Sequence, residues 1–375
     1  MKLRDTLREL TLLPGLAGHE HRVARHIARR IPRTGANVRL DAAGNLLVTI
    51  AGHDPAAPSG MVFAHMDSLG FVVRRIDEDG FVRLERLGGI PEKALPGLRV
   101  VIETVNGDLV HGVISVKAHH ATDASEKYVV TPYAELAVDI GCASAAEVLQ
   151  AGVAIGCPVV YEPRFTELRG ERVAATAIDD RAGCAVVLDL IHRAQARPYP
   201  STVHFVFSVQ EEYNLRGALV AANRLAPDFA VCLDLVIATD TRDLRERGDL
   251  RLGAGPTVSL YSFHGRGTLN GTIPHPRLVR HFTEVATRHG IPLQRSANLG
   301  SLTDSAYVQL SGHGVPSIDL GYPVRYTHTP VETCDLRDLA ALTDLVDHGL
   351  RAIDGAFDLA RHELPDYRPG PDDGP

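Results

Sequence analysis

The sequence predicts an α/β fold: a mixed, mostly parallel sheet with flanking helices, interrupted by an inserted small all-β barrel. Three observations lead there. The short apolar runs 61–64, 203–209 and 229–233 have the composition of strands buried on both faces. Segments with apolar residues at helical spacing lie between and around them. From Phe71 to Tyr161 the texture changes to short alternating runs, FVVRRI, FVRLERL, RVVIET and HGVISV, separated by turns at Asp79-Gly80, Gly88-Gly89 and Asn106-Gly107. That is the pattern of a small barrel or sandwich.

Taken in order, residues 3–12 and 20–31 read as helices, the second with Val23, Ile27 and Ile31 four apart and basic residues between. A Gly44-Asn45 turn leads into a strand over 46–50, and 61–64 is the next strand. After the insert, a helix opens at Asp180 and carries Ala185, Val186, Leu190 and Ile191. A strand (203–209), a helix (215–224) and a strand (229–235) follow. The last clear helix starts near Asp335, with Leu339, Leu342, Val346, Leu350 and Ile353 in phase. The expected organisation is a discontinuous catalytic α/β domain, 1–70 and 166–362, an inserted barrel, 71–165, and a proline-containing tail, 363–375, read as disordered.

Composition narrows the class. At 375 residues the chain can bury a sizeable core, and 45% apolar with 23% charged residues is ordinary for a globular protein. A net charge of -7 argues against nucleic acid as the main partner. Five scattered cysteines without a CxxC pair read as reduced cytosolic thiols rather than a disulfide frame. The start, MKLRDTLREL, has no apolar secretory core, and no run reaches membrane-span length, so the expectation is a cytoplasmic enzyme. With no Trp and 5% aromatics, an aromatic-lined carbohydrate cleft lacks its usual material.

The chemistry-bearing residues sit just past the apolar runs. His65 and Asp67 follow 61–64, Asp179-Asp180 follow 173–178, Glu211-Glu212 follow 203–209, Asp234 follows 229–233, and His328 lies in RYTHTP near the C-terminus. Ligands of open α/β sheets bind beyond the carboxyl ends of the strands. Five such positions would therefore converge, and a His and carboxylate inventory of this kind suits two divalent ions with a water between them. Each position alone also has a bland reading: a polar strand end for His65, a helix cap for Asp179 or Asp180, a solvated pair for Glu211-Glu212, a cap for Asp234, and surface for His328. Asp240 and Asp243 compete with Asp234. Asp67 is placed by sequence to orient His65. Asp180 could cap while Asp179 bridges, and one of Glu211-Glu212 could serve as ligand and the other as general base. HExxH, GxSxG and Walker A patterns are absent.

A series of segments in one order, LPGLAGHE, AHMDSLG, PGLRVVIET, DIGCAS, GCPVVYEP, AIDDRAGC, QEEYNLRGA, CLDL with RLGAGP, LTDSAYVQLSGHGVPS and RYTHTPVE, resembles the TET-type, glutamyl-aminopeptidase-like dizinc metallopeptidases, some once called endoglucanases. The resemblance spans about residues 3 to 355 and implies a zinc-peptidase-like fold. It implies that His65 and Asp234 bind metal, that Asp179 bridges two ions, and that Glu212 and His328 complete the shells. Glu211 would be the general base and Asp67 the partner of His65. The 71–165 insert would make dimer contacts, and relatives build tetrahedral dodecamers around an inner chamber. Two departures stand out: Ser68 where the family commonly has Glu after AHMD, and Gly300-Ser301-Leu302-Thr303-Asp304 where it has Gly-Gly-Thr-Asp.

The expected function is a two-metal aminopeptidase removing N-terminal residues from peptides, with zinc as first choice of metal and cobalt or manganese as alternatives. The alternative on the same fold is a metal-dependent amidase or deacylase of a small acylated amino acid or specialised peptide. A glycosidase would use two carboxylates and no metal, and a non-catalytic scaffold would show broken ligand positions. Peptides and further copies of the chain are the expected partners, with no nucleic acid and no membrane.

Overall fold

The computed structural model describes residues 2–32, 34–264 and 271–362, so the 363–375 tail lies outside the described residues. Two helices, α1 (Leu3–Thr11) and α2 (His21–Arg30), open the chain. Strands β1 (Asn37–Leu40), β2 (Leu46–Ile50) and β3 (Gly60–His65) follow. Next come β4 (Gly70–Ile76), β5 (Val82–Leu87), β6 (Arg99–Glu103), β7 (Leu109–Ile114), β8 (Ala137–Asp139), a short α3 (Ala145–Gln150) and β9 (Pro158–Tyr161). The chain continues through β10 (Phe165–Glu167), β11 (Arg172–Ala175), α4 (Ile178–Ala196), β12 (Val203–Ser208), α5 (Gly217–Leu225) and β13 (Phe229–Ile237). It ends with β14 (Thr257–Phe263), β15 (Gly271–Thr272), α6 (Pro276–His289), β16 (Gln294–Leu299), α7 (Ser305–Val308), β17 (Ser317–Val324), β18 (Glu332–Asp335) and α8 (Leu336–Arg351).

The main sheet runs β1-β2-β12-β3-β13-β17-β14-β15, with β16 beside β14. Its centre, β12-β3-β13-β17, is parallel, and antiparallel pairs finish both edges. The central strands are apolar on both faces because helices cover both. α4 is buried almost all round, from Ile178 to Ala194, as expected of a helix with no solvent stripe. α8 begins where the Asp335 side chain accepts the Arg337 N–H, an N-cap at the point where β18 ends.

The insert closes into a six-stranded antiparallel barrel, β4-β5-β8-β7-β6-β9, between Gly70 and Tyr161. It has a core of its own, built on Phe71, Val82, Val100, Ile102, Val138 and Val159. A small third sheet, β10-β11-β18, joins the residues after the barrel to the start of α8.

Several boundaries move from those read in the sequence. The strand over 61–64 extends to His65, which is its last residue, and the strand over 229–235 runs on to Ile237. The region 236–334 holds β14 to β17, α6 and α7, none of which the periodicity singled out. α6 had its signals, Pro276 in the first turn and Gly290 in the left-handed conformation at the end.

Candidate active site

Four central strand ends define the site. β3 delivers His65, the turn after β12 delivers Glu211 and Glu212, β13 carries Asp234, and the loop after β17 carries His328. Asp179 enters from the non-helical start of α4, where the Asp179–Asp180 peptide bond is cis. All five histidine and carboxylate positions singled out in the sequence are thus brought together. The ligand atoms of His65, Asp179 and Asp234 lie within 4.8 Å of one another, and so do those of Asp179, Glu212 and His328. Asp179 belongs to both groups. Asp240 is held elsewhere, by Arg325 at 2.6 and 2.7 Å, and exposed Asp243 accepts from Thr241.

The two histidines are oriented alike. His65 Nδ1 lies 3.2 Å from the carbonyl of Asp67, and His328 Nδ1 lies 2.6 Å from the carbonyl of Gly89. A carbonyl only accepts, so both Nδ1 atoms donate. The Nε2 atoms then face opposite oxygens of Asp179, at 3.0 Å for His65 and 3.3 Å for His328. A neutral ring would aim a lone pair at a carboxylate oxygen, which repels unless a proton or metal cation lies between. Burial alone would lower both imidazoles, but Glu211, Asp179 and Asp67 raise His65 well above its usual range. Glu212 and Asp179 raise His328 to about 10. Burial pushes Asp179 up, yet its hydrogen bonds with His328 and His65 hold it below the usual carboxylate range.

The other carboxylates shift the opposite way. Burial, followed by neighbouring acids, raises Glu211 and Asp234 well above the carboxylate range. Burial and Asp179 raise Glu212 to about 7, and its Oε1 is buried with no hydrogen-bond partner among the described residues. Four crowded carboxylates, two imidazoles aimed at a shared one and an unpartnered buried oxygen form a donor set that fits divalent cations.

The residues around the cluster hold it in place; of these, Asp67, Asp180, Ser68 and 300–304 were singled out in the sequence, while the bonds they make, and the parts played by Glu332, Glu20, Tyr322 and Gly89, were not. Asp67, fully buried, accepts the backbone N–H groups of Glu211 and Glu212, each at 3.0 Å, while its carboxylate stands 3.6 Å from His65 Nδ1. Asp180 accepts from His65 N, Gly183 N and the Tyr322 hydroxyl, so it ties β3 and β17 to the start of α4. Glu332 accepts from Asp179 N (3.0 Å) and His328 N (2.7 Å), orienting both sides of the Asp179 bridge. Glu20 accepts from Gln210 N at 3.1 Å, just before the Glu pair. Ser68 donates to Gly15 O and lines the site beside Asp179 and Glu212. Residues 300–303 line the cleft that contains Glu211, Glu212 and Asp234. The barrel takes part too: Gly89 follows β5, and a side chain there would press on His328 Nδ1 at 3.2 Å.

An α/β sheet whose strand ends gather paired histidines and carboxylates around a shared aspartate has the donor set of a metal-dependent hydrolase. Comparison with known proteins identifies the family. The chain belongs to the M42 glutamyl aminopeptidase family, whose model matches residues 44–345, and it is therefore a metallo-aminopeptidase. It is 30% identical over 340 residues to the lysyl aminopeptidase of Pyrococcus furiosus, covering 89% of this chain and 93% of the relative. The aminopeptidase APDkam598 from the archaeon Desulfurococcus kamchatkensis superposes with a TM-score of 0.88 at 30% identity, covering 94% and 96% of the two chains. The Pyrococcus horikoshii TET1 peptidase, described as assembling into a tetrahedron or a large octahedral shell, superposes at 0.83 with 29% identity, covering 94% and 100%. No helix among the described residues is long and apolar enough to cross a membrane.

Proposed function

We propose that the protein removes N-terminal residues from peptides with two divalent ions, zinc first and cobalt or manganese as alternatives. His65, Asp179 and Asp234 would hold one ion, and Asp179, Glu212 and His328 the other. The observation that carries this is the pair of Nε2 atoms facing opposite oxygens of Asp179. Bound ions would lower the pKa of a water and polarise the scissile carbonyl. Glu211 stands beside the cluster, 3.9 Å from His65, and is assigned as general base, taking the proton of the attacking water and returning it to the departing amine. Asp67 fixes the backbone on which Glu211 rides.

The test uses a panel of aminoacyl-p-nitroanilides and their N-acetylated counterparts, on chelated enzyme with and without Zn, Co or Mn. Metal-dependent cleavage of the free-amine set alone is expected. Cleavage of the acetylated set would move the assignment to the amidase or deacylase alternative. Glu211→Gln should keep its metal content and lose about 10³-fold or more in turnover; near-normal turnover would remove Glu211 as the base.

The division into 1–70 with 166–362 and a 71–165 insert is supported by the separate core of the barrel. The barrel exposes Val105, Val116, Leu149 and Ile155, apolar material suited to contact with another copy. Dimers formed through the barrel, assembled further into a dodecamer, are the proposed state, and light scattering on the purified protein measures it directly.

A further inference from the structure

The cleft has a side chamber. It shares Asp234, Leu235, Ser301 and Thr303 with the lining of the cleft and is walled by Ser259, Ser262, Ser296, Ser301 and Thr303. At its inner end stands Asp319, a carboxylate in the middle of β17, 5% exposed and surrounded by strands. Its Oδ2 accepts from Thr303 at 3.1 Å and the Ser305 hydroxyl stands beside the carboxylate, while Oδ1 is buried without a well-formed hydrogen bond among the described residues. Nothing in the metal cluster or its supporting bonds uses this group.

The register shows how the chamber relates to the reacting end of a substrate. Asp234 on β13 pairs with Gly321 on β17, and Cys232 pairs with Asp319 two residues earlier. Asp319 is therefore one same-face step, roughly 6.6 Å, down the sheet from the level of Asp234. Position 321, level with Asp234 on β17, is glycine and adds no side chain there; Thr257 Oγ1 is the nearest side-chain atom. The cleft above the mouth is lined by Leu235, Ile237 and Leu302. A chain of four methylenes fits this apolar stretch and spans that step. The chamber itself has a volume of about 20 Å³, room for a single water. A primary ammonium is of that size and brings three donors; a guanidinium is larger and planar.

We propose that this chamber selects an N-terminal lysine, with the stem on the apolar cleft wall and the ammonium between Asp319 and the surrounding hydroxyls. The proposal rests on the aminopeptidase assignment, which sets the α-amino end of the substrate near Asp234. It goes beyond family membership, because the family descriptor and the Pyrococcus furiosus relative name different residues.

The test compares lysyl-p-nitroanilide with norleucyl-p-nitroanilide, which has the same stem without the ammonium, and with the arginyl and glutamyl substrates, on metal-loaded enzyme. A site built around a polar partner rejects an analogue lacking it by large factors. The expected kcat/KM ratio of lysine to norleucine is about 100 or more, with arginine and glutamate below lysine. In Asp319→Asn the lysine to norleucine ratio should fall at least about tenfold. A wild-type ratio near one, or a ratio unchanged in Asp319→Asn, overturns the proposal. Thermal shifts of the metal-loaded wild type with L-lysine and L-norleucine need neither turnover nor the variant. A larger stabilisation by lysine supports the chamber, and an equal or larger one by norleucine overturns it. Failure of the enzyme to cleave any substrate of the panel would strike the aminopeptidase assignment, and the thermal comparison would still decide the chamber.

Discussion

Replacing Asp67 by asparagine tests how the Glu211-Glu212 turn is held. The carboxylate is fully buried, and each of its oxygens accepts one backbone N–H of the turn at 3.0 Å. Asparagine keeps the shape and one acceptor, but sets an amide N–H against the second backbone N–H. A hydrogen bond to a charged group contributes about 1.5–3 kcal/mol, and an orphaned buried donor costs about 1–3 kcal/mol. The expected destabilisation is about 3 kcal/mol, read by urea unfolding of metal-free protein. The turn also carries the assigned base, and a shift of about 1 Å at a reacting group costs on the order of 100-fold in rate. Aminoacyl-p-nitroanilide hydrolysis should fall by that factor while elemental analysis still finds metal. Stability within about 0.5 kcal/mol of wild type, the range of ordinary surface changes, together with turnover within a few-fold, would refute the idea that Asp67 holds the turn.

Three further outcomes are expected. Tyr322→Phe removes the hydroxyl that donates to Asp180 at 2.6 Å and should cost about 2 kcal/mol in denaturant unfolding; an unchanged midpoint would mean that this contact carries no net stability. Gly183→Ala places a Cβ 2.4 Å from Asp180 Oδ1, so Asp180 and the His65 backbone it holds must move; metal content should drop, and full retention would contradict the predicted displacement. Glu20→Gln tests a pH dependence. Burial, then the Asp67 charge, raises Glu20 to about 7. A carboxyl raised on folding gives full stability below its unfolded value near 4.5 and loses it as pH rises to about 7, at most about 3 kcal/mol. Gly18 N and Gln210 N both donate to Oε1, which glutamine can reproduce. The variant should therefore match wild type near pH 4 and exceed it at pH 8, and equal stabilities at both pH values would count against the raised carboxyl.

The parts of this fold legible in the sequence are those whose burial is written into local composition. The strands around 61–64, 203–209 and 229–233 and the middle of helix α4 are largely apolar because helices and sheet enclose them. The region from β14 to β17 was opaque for a physical reason. β14 reads TVSLYSF, and β18 is the buried but polar ETCD, because each gives one face to the core, through Val258 and Cys334, and carries polar residues on the other. The clustered His and carboxylate positions could be read because each stands at the end of, or just past, an apolar run. Their supports could not: Glu332 reaches Asp179 across 153 residues, and Asp67 reaches Glu211 across 144. Nothing local distinguishes a carboxylate that holds distant backbone from one that caps a helix. Asp319 was hidden for the same reason, as a single acid inside an otherwise apolar strand.

The contact between Gly89 and His328 joins two bodies through one imidazole. With a cation on Nε2 the ring's remaining proton would sit toward the barrel, so a change in that 2.6 Å bond would alter how basic the other nitrogen is. If His328 holds a cation as proposed, linkage would run in both directions: whatever draws the barrel inward would strengthen the grip of His328, and the bound cation would resist the barrel's departure by the same free energy. Neighbouring copies bound to the barrel's outer surface would therefore register in metal affinity without touching a single ligand.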